Sequence, residues 1–255
     1  MLSPLWVGSC TTGHYPFAFD IDSDGHDELA VGFALFDHQD DLLWNLENTV
    51  EDHVDGVAIV DFGEAEPSSP KILYAASDSG LPLVDFNGEI LRHHLIGHAQ
   101  NLVIAKFRDD VPELQAVSID FWGNHGLLNF YDGSGEIYHS AEPLNMGSMC
   151  SPVNWAGSGV ELFLHNTNHF HGGMYDGWGR PMVMFPDDGH PDMCCAALDI
   201  EGDCRDEIVV WDQNRVWVYT QDDSPKKGRL YNPQRNALIN PSNYQASVSV
   251  SGWRE

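Results

Sequence analysis

The stretch FDIDSDGHDELAVG at residues 19–32 returns with changes at residues 198–211 as LDIEGDCRDEIVVW. Each copy is an acidic turn followed by a short apolar run, and self-similarity of this kind indicates a repeat architecture. Three weaker copies lie between them, so the equivalent positions are Asp20, Asp61, Lys106, Asn154 and Asp199. Their spacings of 41, 45, 48 and 45 residues are typical of one four-stranded propeller blade per repeat.

Short apolar runs before and after each of these positions predict β-strands, and no long window keeps a helical period without Gly or Pro. Asn87-Gly88 is a hairpin signal at the end of one such run. The sequence therefore predicts an all-β fold, a single β-propeller domain over residues 1–255 with five readable blades. Enzymes of this kind commonly have seven or eight blades, so we expect an N-terminally truncated part of a seven- or eight-bladed propeller.

The composition narrows the classes of partner. The chain has 12 Lys and Arg against 39 Asp and Glu, a formal net charge of -27. Nucleic acids and anionic membranes need a basic face, so the charge argues against both as partners. No apolar stretch is long enough to span a membrane. We expect a monomer whose partner is a polysaccharide or oligosaccharide.

The first residues carry neither the basic start nor the apolar core of a signal peptide. Taken as it stands, the chain predicts a cytoplasmic protein, whereas a truncated beginning would place it outside the cell or in the periplasm. Five cysteines form an odd set without the spacing of a disulfide module.

The first acidic turn has the spacing of a cation-binding loop. Asp20, Asp22, Asp24 and Glu28 occupy positions 1, 3, 5 and 9, and Gly25 at position 6 allows a sharp bend. Hard oxygens in this order suit Ca²⁺, so the turn predicts a structural calcium site. The alternative is a turn in which the Asp side chains only cap the hairpin. In the fifth repeat Cys204 replaces the glycine, which lowers the expectation of a cation there.

A second cluster contains soft ligands. His190, Cys194, Cys195 and Cys204 could complete a tetrahedral site if strands of one hairpin brought them together. Such a closed site would hold a structural Zn²⁺. The alternative is that the cysteines are buried, apolar members of a blade core.

Thirteen histidines form another unusual feature. His53 and His98 lie eight residues before Asp61 and Lys106, and His14 lies six residues before Asp20. The first strand of each blade lines the channel of a propeller, so residues just before these strands are expected to meet at one mouth of that channel. Imidazoles gathered there could transfer protons or bind an anion.

Several motifs together resemble a family. They are DHVDG at 52–56, GHAQN at 97–101, FWGN at 121–124, PDDGHP at 186–191, GDCRDEI at 202–208 and SNY at 242–244. As a set they resemble the β-propeller polysaccharide lyases that act on rhamnose-uronate polymers: rhamnogalacturonan lyases, ulvan lyases and rhamnose-glucuronate lyases. The resemblance runs from about Asp20 to Trp253.

The resemblance implies β-elimination at a uronic acid of an anionic polysaccharide. A base removes the C5 proton, an acid protonates the departing oxygen, and another group neutralises the uronate carboxylate. We expect His53 and His98 to be the proton-transfer pair, with His38 also in a catalytic place by matching register. The predicted substrate contacts are His125, Trp122, Asn124, Gln100 and His14. The family also uses an arginine, but Arg92 and Arg108, which lie nearby in sequence, do not fit its motif, so the group that neutralises the carboxylate is left open.

Two alternatives remain at this point. A glycoside hydrolase that releases rhamnose could use the same scaffold, with two acidic residues, or a histidine in place of one. A calcium-binding propeller that recognises carbohydrate without cutting it would also explain the acidic turns.

Overall fold

The computed structural model describes residues 3, 6–63, 69–121, 126–142, 151–192, 194–222, 228–236 and 244–254. Among these residues the only regular elements are β-strands, and no helix is long and apolar enough to cross a membrane. Most strands lie in small antiparallel sheets, in which each strand pairs with its neighbour along the chain. This local pairing follows from the short apolar runs and tight turns of each repeat.

The first three sheets each contain four strands from consecutive chain segments, and two C-terminal strands extend sheet 3 to six strands. Sheet 1 contains β1 (Phe17–Phe19), β2 (Glu28–Val31), β3 (Ala34–Phe36) and β4 (Leu42–Asn45). Sheet 2 contains β5 (Gly56–Val60), β6 (Lys71–Ala75), β7 (Leu81–Val84) and β8 (Ile90–His94). Sheet 3 contains β9 (Ala99–Ala105), β10 (Gln115–Asp120), β11 (Leu128–Tyr131) and β12 (Ile137–Ala141).

Two further sheets continue the series, and short strands end the chain. Sheet 4 contains β13 (Ser151–Val153), β14 (Leu162–Asn166), β15 (Gly173–Tyr175) and β16 (Pro181–Val183). Sheet 5 contains β17 (Cys195–Leu198), β18 (Glu207–Trp211) and β19 (Val216–Tyr219). The C-terminal strands are β20 (Leu230–Tyr231), β21 (Gln234–Arg235), β22 (Ser247–Val250) and β23 (Trp253–Arg254).

The repeat boundaries predicted from the sequence are confirmed. Each predicted anchor directly follows the first strand of its sheet, and the anchors are Asp20, Asp61, Lys106, Asn154 and Asp199. The first strands also contact one another in order, from β1 to β5, β9, β13 and β17. Because these strands run side by side, the loops that precede them lie at one common end of the molecule.

Apolar side chains join the sheets into one stack. One core cluster spans sheets 1 to 3 and includes the fully buried Tyr74 and Leu73. A second cluster joins sheets 3 and 4 around Phe130 and Phe163, and a third joins sheets 4 and 5 around Leu164 and Ile208. Successive side chains of a strand point to opposite faces of its sheet. Apolar side chains on the two faces therefore pack against the preceding and the following sheet.

The C-terminal strands make the longest-range contacts of the fold. Strand β22 pairs in parallel with β9, with Ser247 opposite Val103 and Val248 opposite Ile104. The sequence led us to expect that β9, as the first strand of its sheet, would line an open channel. In the structure this edge of sheet 3 is covered by β22 instead. Strand β21 pairs in turn with β22.

A buried ionic network fixes this segment. Arg235 donates to both carboxylate oxygens of Asp206, at 2.9 and 2.7 Å, and to Glu161 at 2.9 Å. Ser249 donates to Glu161 at 2.7 Å. Burial raises the pKa of Glu161, although the Arg235 charge opposes the shift. A partly buried guanidinium shared by two buried carboxylates ties the C-terminal strands to sheets 4 and 5.

Candidate functional site

Three loops that precede first strands meet at one end of the stack. His14 precedes β1, His53 and Asp55 precede β5, and His98 precedes β9. The backbone N–H of His14 donates to the carbonyl oxygen of Val54 at 3.0 Å, which joins the first two loops directly. The backbone N–H of Asp55 donates to Ala75 of β6 at 2.9 Å, so its position is set by sheet 2.

The predicted meeting of these histidines is observed, and its centre is a carboxylate. The Nε2 atoms of His14 and His53 each lie 3.3 Å from Asp55 Oδ1, and His98 Nε2 lies 3.2 Å from Asp55 Oδ2. The Asp55 side chain is 2% exposed, whereas those of His14 and His53 are 40% and 41% exposed. The cluster thus has a buried carboxylate at its base and two imidazoles that are exposed to solvent.

Two more carboxylates orient the imidazoles. His53 Nδ1 donates to Asp52 at 2.6 Å, and His98 Nδ1 donates to Asp78 at 2.7 Å. A carboxylate can only accept, so each Nδ1 carries its proton and each Nε2 is directed at Asp55. The sequence reasoning missed Asp55, although it belongs to the same DHVDG motif as His53.

The electrostatics of the cluster favour positive charge. Burial raises the pKa of Asp55 above its ordinary value, and the charges of His53, His98 and His14 oppose that rise. Burial by itself would lower the pKa of His53, but its bond to Asp52 and the charges of Asp55 and Asp52 outweigh burial, and the pKa is raised. A cation or a protonated imidazole is therefore stabilised beside Asp55.

Further side chains line this end of the sheets. Tyr244 stacks on the His14 ring with a centroid distance of 3.9 Å and an interplanar angle of 15°. Gln100, a predicted substrate contact, lies buried on β9, and its Nε2 has no hydrogen-bond partner. Asp120, at the end of β10 opposite Ala99, is fully buried with both carboxylate oxygens unpartnered, and burial raises its pKa to about 7. The other predicted contacts, Trp122, Asn124 and His125, lie outside the described residues.

His38 is not part of the cluster. It follows β3, and its Nδ1 lies 3.9 Å from Asp24 Oδ2 while its ring stacks on His26 at 4.2 Å. Asp24 belongs to the acidic turn that follows β1, whereas His14 precedes β1, so the two histidines lie at opposite ends of that strand. The predicted place of His38 beside His53 is therefore not found in the structure.

The first acidic turn brings together the carboxylates predicted for Ca²⁺. Single oxygens of Asp20, Asp22 and Glu28 lie within 4.8 Å of one another, and oxygens of Asp24 and Glu28 form a similar group with His38. Glu28 is buried, and burial raises its pKa, with the neighbouring Asp charges adding to the shift. Oxygens from several carboxylates around one point could hold a hard divalent cation.

The expectation of a Zn²⁺ site at His190, Cys194, Cys195 and Cys204 is wrong. Cys195 begins β17 and lies in the core between sheets 4 and 5, where burial raises its pKa to about 12. Cys204 lies beyond the other end of β17, in the fifth acidic turn, and Cys194 is exposed. Both ring nitrogens of His190 already have partners, Asp188 at 2.6 Å and the carbonyl oxygen of Thr167 at 2.5 Å. The sequence suggested proximity, but the strand separates the thiols.

An apolar cavity of about 580 Å³ lies at the end of the sheets opposite the histidine cluster. Phe19, Ile59, Leu114 and Val248 contribute to its wall. Asp61 is the one titratable residue in its described lining, so the cavity has no pair of groups for acid–base chemistry. We therefore take the histidine cluster as the candidate site.

Comparisons with known proteins give a fold but no family. No protein-family model matches the chain, and no curated protein does. Among solved structures, the chain is similar to the rhamnogalacturonan lyase YesW, with 18% identity and a TM-score of 0.66 over 94% of this chain and 42% of that one. The chain is also similar to the exotype rhamnogalacturonan lyase YesX, with 18% identity and a TM-score of 0.63 over 94% of this chain and 43% of that one.

A rhamnogalacturonan lyase from Bacillus licheniformis is similar at 17% identity and a TM-score of 0.61, over 84% of this chain and 36% of that one. The biofilm matrix protein Bap1 of V. cholerae is similar at 12% identity and a TM-score of 0.58, over 82% of this chain and 63% of that one. The chain spans less than half the length of the three lyase structures. At these identities the similarity shows a lyase-like fold.

Proposed function

We propose that this chain is a set of blades from a β-propeller polysaccharide lyase that cleaves a rhamnose-uronate polymer by β-elimination. The observation that carries the proposal is the meeting of His14, His53 and His98 around Asp55. Three rhamnogalacturonan lyases with the same fold support the reaction class. The contacts between successive first strands support a radial arrangement of the sheets.

In this proposal His98 is the proton-transfer group. Asp78 accepts from its Nδ1, and its Nε2, which lies 3.2 Å from Asp55 Oδ2, would take the C5 proton of the uronate with that carboxylate stabilising the imidazolium. His98 is 13% exposed, so it lies at the base of the pocket, whereas His14 and His53 are more open and would contact the sugar acid. The sequence alone had given His53 and His98 equal parts in proton transfer.

The acidic turn has a separate role. We propose that Asp20, Asp22, Asp24 and Glu28 bind a structural Ca²⁺, because oxygens of Asp20, Asp22 and Glu28 lie within 4.8 Å of one another and Asp24 forms a second such group with Glu28 and His38. The turn lies at the end of β1 opposite to His14, so the ion would stabilise the hairpin without contacting the substrate.

The activity is tested on ulvan, rhamnogalacturonan and gum arabic. β-Elimination leaves an unsaturated uronate, so ultraviolet absorbance should rise with the wild type and should fall at least about a hundredfold in rate with His98→Gln. His93→Gln is the matched control, because His93 is exposed and bonds the carbonyl of Ser79 instead of Asp55. If new reducing ends form without a rise in ultraviolet absorbance, the reaction is hydrolysis and the lyase proposal is wrong.

A carbohydrate-binding propeller without catalysis is the second candidate. The similarity to a biofilm matrix protein and the carboxylates of the acidic turn favour it. It predicts retention of the protein on a polysaccharide column with neither absorbance nor new reducing ends. Retention that survives His98→Gln would separate binding from catalysis.

A further inference from the structure

We propose that His14, His53 and Asp55 form a binding site for one divalent transition-metal ion of the Zn²⁺ type. Their ligand atoms, two Nε2 and one carboxylate oxygen, all lie within 4.8 Å of one another. Imidazole and carboxylate suit Zn²⁺ and its neighbours in the first transition row. The site is distinct from the acidic turn, which offers mainly carboxylate oxygens at the other end of β1.

The spacing of the ligand atoms fits such an ion. Zn²⁺ binds nitrogen and carboxylate oxygen at about 2.0 to 2.1 Å, which places two ligands of a tetrahedral ion about 3.3 Å apart. The distances from Asp55 Oδ1 to His14 Nε2 and to His53 Nε2 are both 3.3 Å. Two of the three separations therefore already match those of ligands around a shared centre, and the two Nε2 atoms lie within 4.8 Å of each other.

The proton positions also call for a cation. His53 Nδ1 donates to Asp52, so a neutral His53 ring directs the lone pair of Nε2 at a carboxylate oxygen of Asp55. Two lone pairs at 3.3 Å repel unless a proton or a metal ion lies between them, so this position takes a cation of one kind or the other. The second oxygen, Asp55 Oδ2, is buried and lies 3.2 Å from His98 Nε2, outside hydrogen-bond geometry. In the described part of the chain, the ion-pair partners of Asp55 are all histidines.

The surroundings hold the ligands in place, as they do at known metal centres. Metal-binding histidines usually donate their other ring nitrogen to a carboxylate or a carbonyl, and Asp52 supplies that group for His53. Tyr244 stacks on His14 and fixes the plane of its ring. The buried Asp55 is anchored through its backbone to Ala75. Such support fixes the ligands before an ion arrives.

Three protein ligands leave a coordination position open, which is typical of catalytic rather than structural zinc. His14 and His53 are about 40% exposed, so the open position would face solvent. The role of the ion rests on the proposed lyase function: it would bind the uronate carboxylate and neutralise its charge. No arginine had fitted that task in the sequence, and His98, on the other oxygen of Asp55, remains available for the proton.

The test measures metal binding without substrate. The chelator-treated chain is titrated with Zn²⁺ by calorimetry, and with Co²⁺ while its visible absorption is recorded. We expect one equivalent to bind in the micromolar range or tighter, with visible bands of a low-coordinate Co²⁺ ion. His53→Ala and Asp55→Asn should weaken binding by at least about a hundredfold, and the supporting Asp52→Asn by about tenfold.

Two variants serve as controls, and far-UV circular dichroism verifies the folding of each. His93→Gln and Asp22→Asn should bind Zn²⁺ as the wild type does, because neither residue belongs to the cluster. The proposal is overturned if the wild type binds no Zn²⁺ below about 100 μM, or if Asp55→Asn and Asp52→Asn bind it unchanged. Zn²⁺ binding without lyase activity would support the metal site and contradict the proposed function. Failure of the metal site and failure of the proposed function are therefore distinguishable.

Discussion

The first and fifth acidic turns have the same backbone but satisfy their carboxylates differently. In the first turn Asp20 accepts from the N–H groups of Asp24 and Gly25, and in the fifth Asp199 accepts from those of Asp203 and Cys204. Positive φ angles also recur at equivalent positions, with 91° at Gly25 and 72° at Cys204.

The difference lies in the source of positive charge. In the fifth turn the Arg205 guanidinium donates to Asp203 at 2.9 Å, and both side chains are largely buried. The equivalent residue in the first turn is His26, whose ring stacks on His38. The first turn instead brings oxygens of Asp20, Asp22 and Glu28 within 4.8 Å of one another, where an external cation could bind. The fifth turn thus has a guanidinium from its own chain beside its carboxylate, whereas the first turn has His26 at that position and an open cluster of carboxylates.

The largest expected effect is at Arg205. Arg205→Met keeps the aliphatic contacts but leaves the carboxylate of Asp203 without its guanidinium, which should cost about 3 kcal/mol of unfolding free energy. Urea titration in calcium-free buffer measures the loss. His26→Met at the equivalent position should change stability by less than about 0.5 kcal/mol. Equal effects at the two positions would contradict the comparison.

Calcium should act through the first turn alone. At a concentration of a hundred times its Kd, Ca²⁺ should add about 2.7 kcal/mol to the unfolding free energy. Asp22→Asn should remove most of this gain, since the amide keeps the hydrogen bond to the Asp24 N–H but loses the charge. Glu201→Gln, at the same offset in the fifth turn, is the matched control and should keep the gain. Thermal unfolding with and without Ca²⁺ provides the measurement.

The two turns should respond to pH with opposite signs. The pKa of Asp203 is lowered because its bonds to Arg205 outweigh the opposing effect of burial, so this pair stabilises the fold above the unfolded pKa and is lost on acidification. The pKa of Glu28 is raised by burial, so without Ca²⁺ its contribution is greatest at low pH and declines as pH rises through the folded pKa.

Urea unfolding at several pH values compares two variants on this point. Glu28→Gln should gain stability relative to the wild type above about pH 6, and Asp203→Asn should lose it there. Both differences should shrink near pH 3, where the carboxylates of the unfolded chain are protonated. The same sign for both variants would show that the turns do not differ in this way.

The smallest effect concerns backbone conformation. Gly25→Cys places a side chain at a φ of 91° and should cost about 1 kcal/mol, although the added carbon meets open space. Cys204→Gly relieves the same strain but removes a buried side chain, so the two contributions offset and the net change should be under about 1 kcal/mol. Chemical denaturation resolves the two values, and a large loss for Cys204→Gly would show that the thiol packing dominates.

Sequence reasoning worked where the information was local or periodic. The five anchors each follow a first strand, and the spacing of carboxylates in the first turn survives as a geometric cluster. The register argument also brought His14, His53 and His98 together, because residues that precede parallel first strands share one end of a stack. It failed for His38, which follows a third strand and therefore lies at the other end.

The zinc expectation failed for a related reason. Cys195 and Cys204 are nine residues apart, but β17 lies between them and extends by about 3.3 Å per residue, so it holds the thiols apart. Asp55 was overlooked because an acidic residue at the start of an apolar strand carries no sign of the three histidines it will meet. Nor did the sequence predict that β22 would pair with β9, more than a hundred residues away.

The chain by itself determined its strands, its repeat period and the acidic turns, because these depend on side-chain alternation and on hydrogen bonds that span a few residues. Only the tertiary structure decided which charged groups meet. Burial of Asp55 beneath imidazoles from three sheets, and the choice between Arg205 and an open cluster of carboxylates, depend on how sheets pack. Electrostatic interactions between segments act through space, so they are fixed only when the apolar faces have joined.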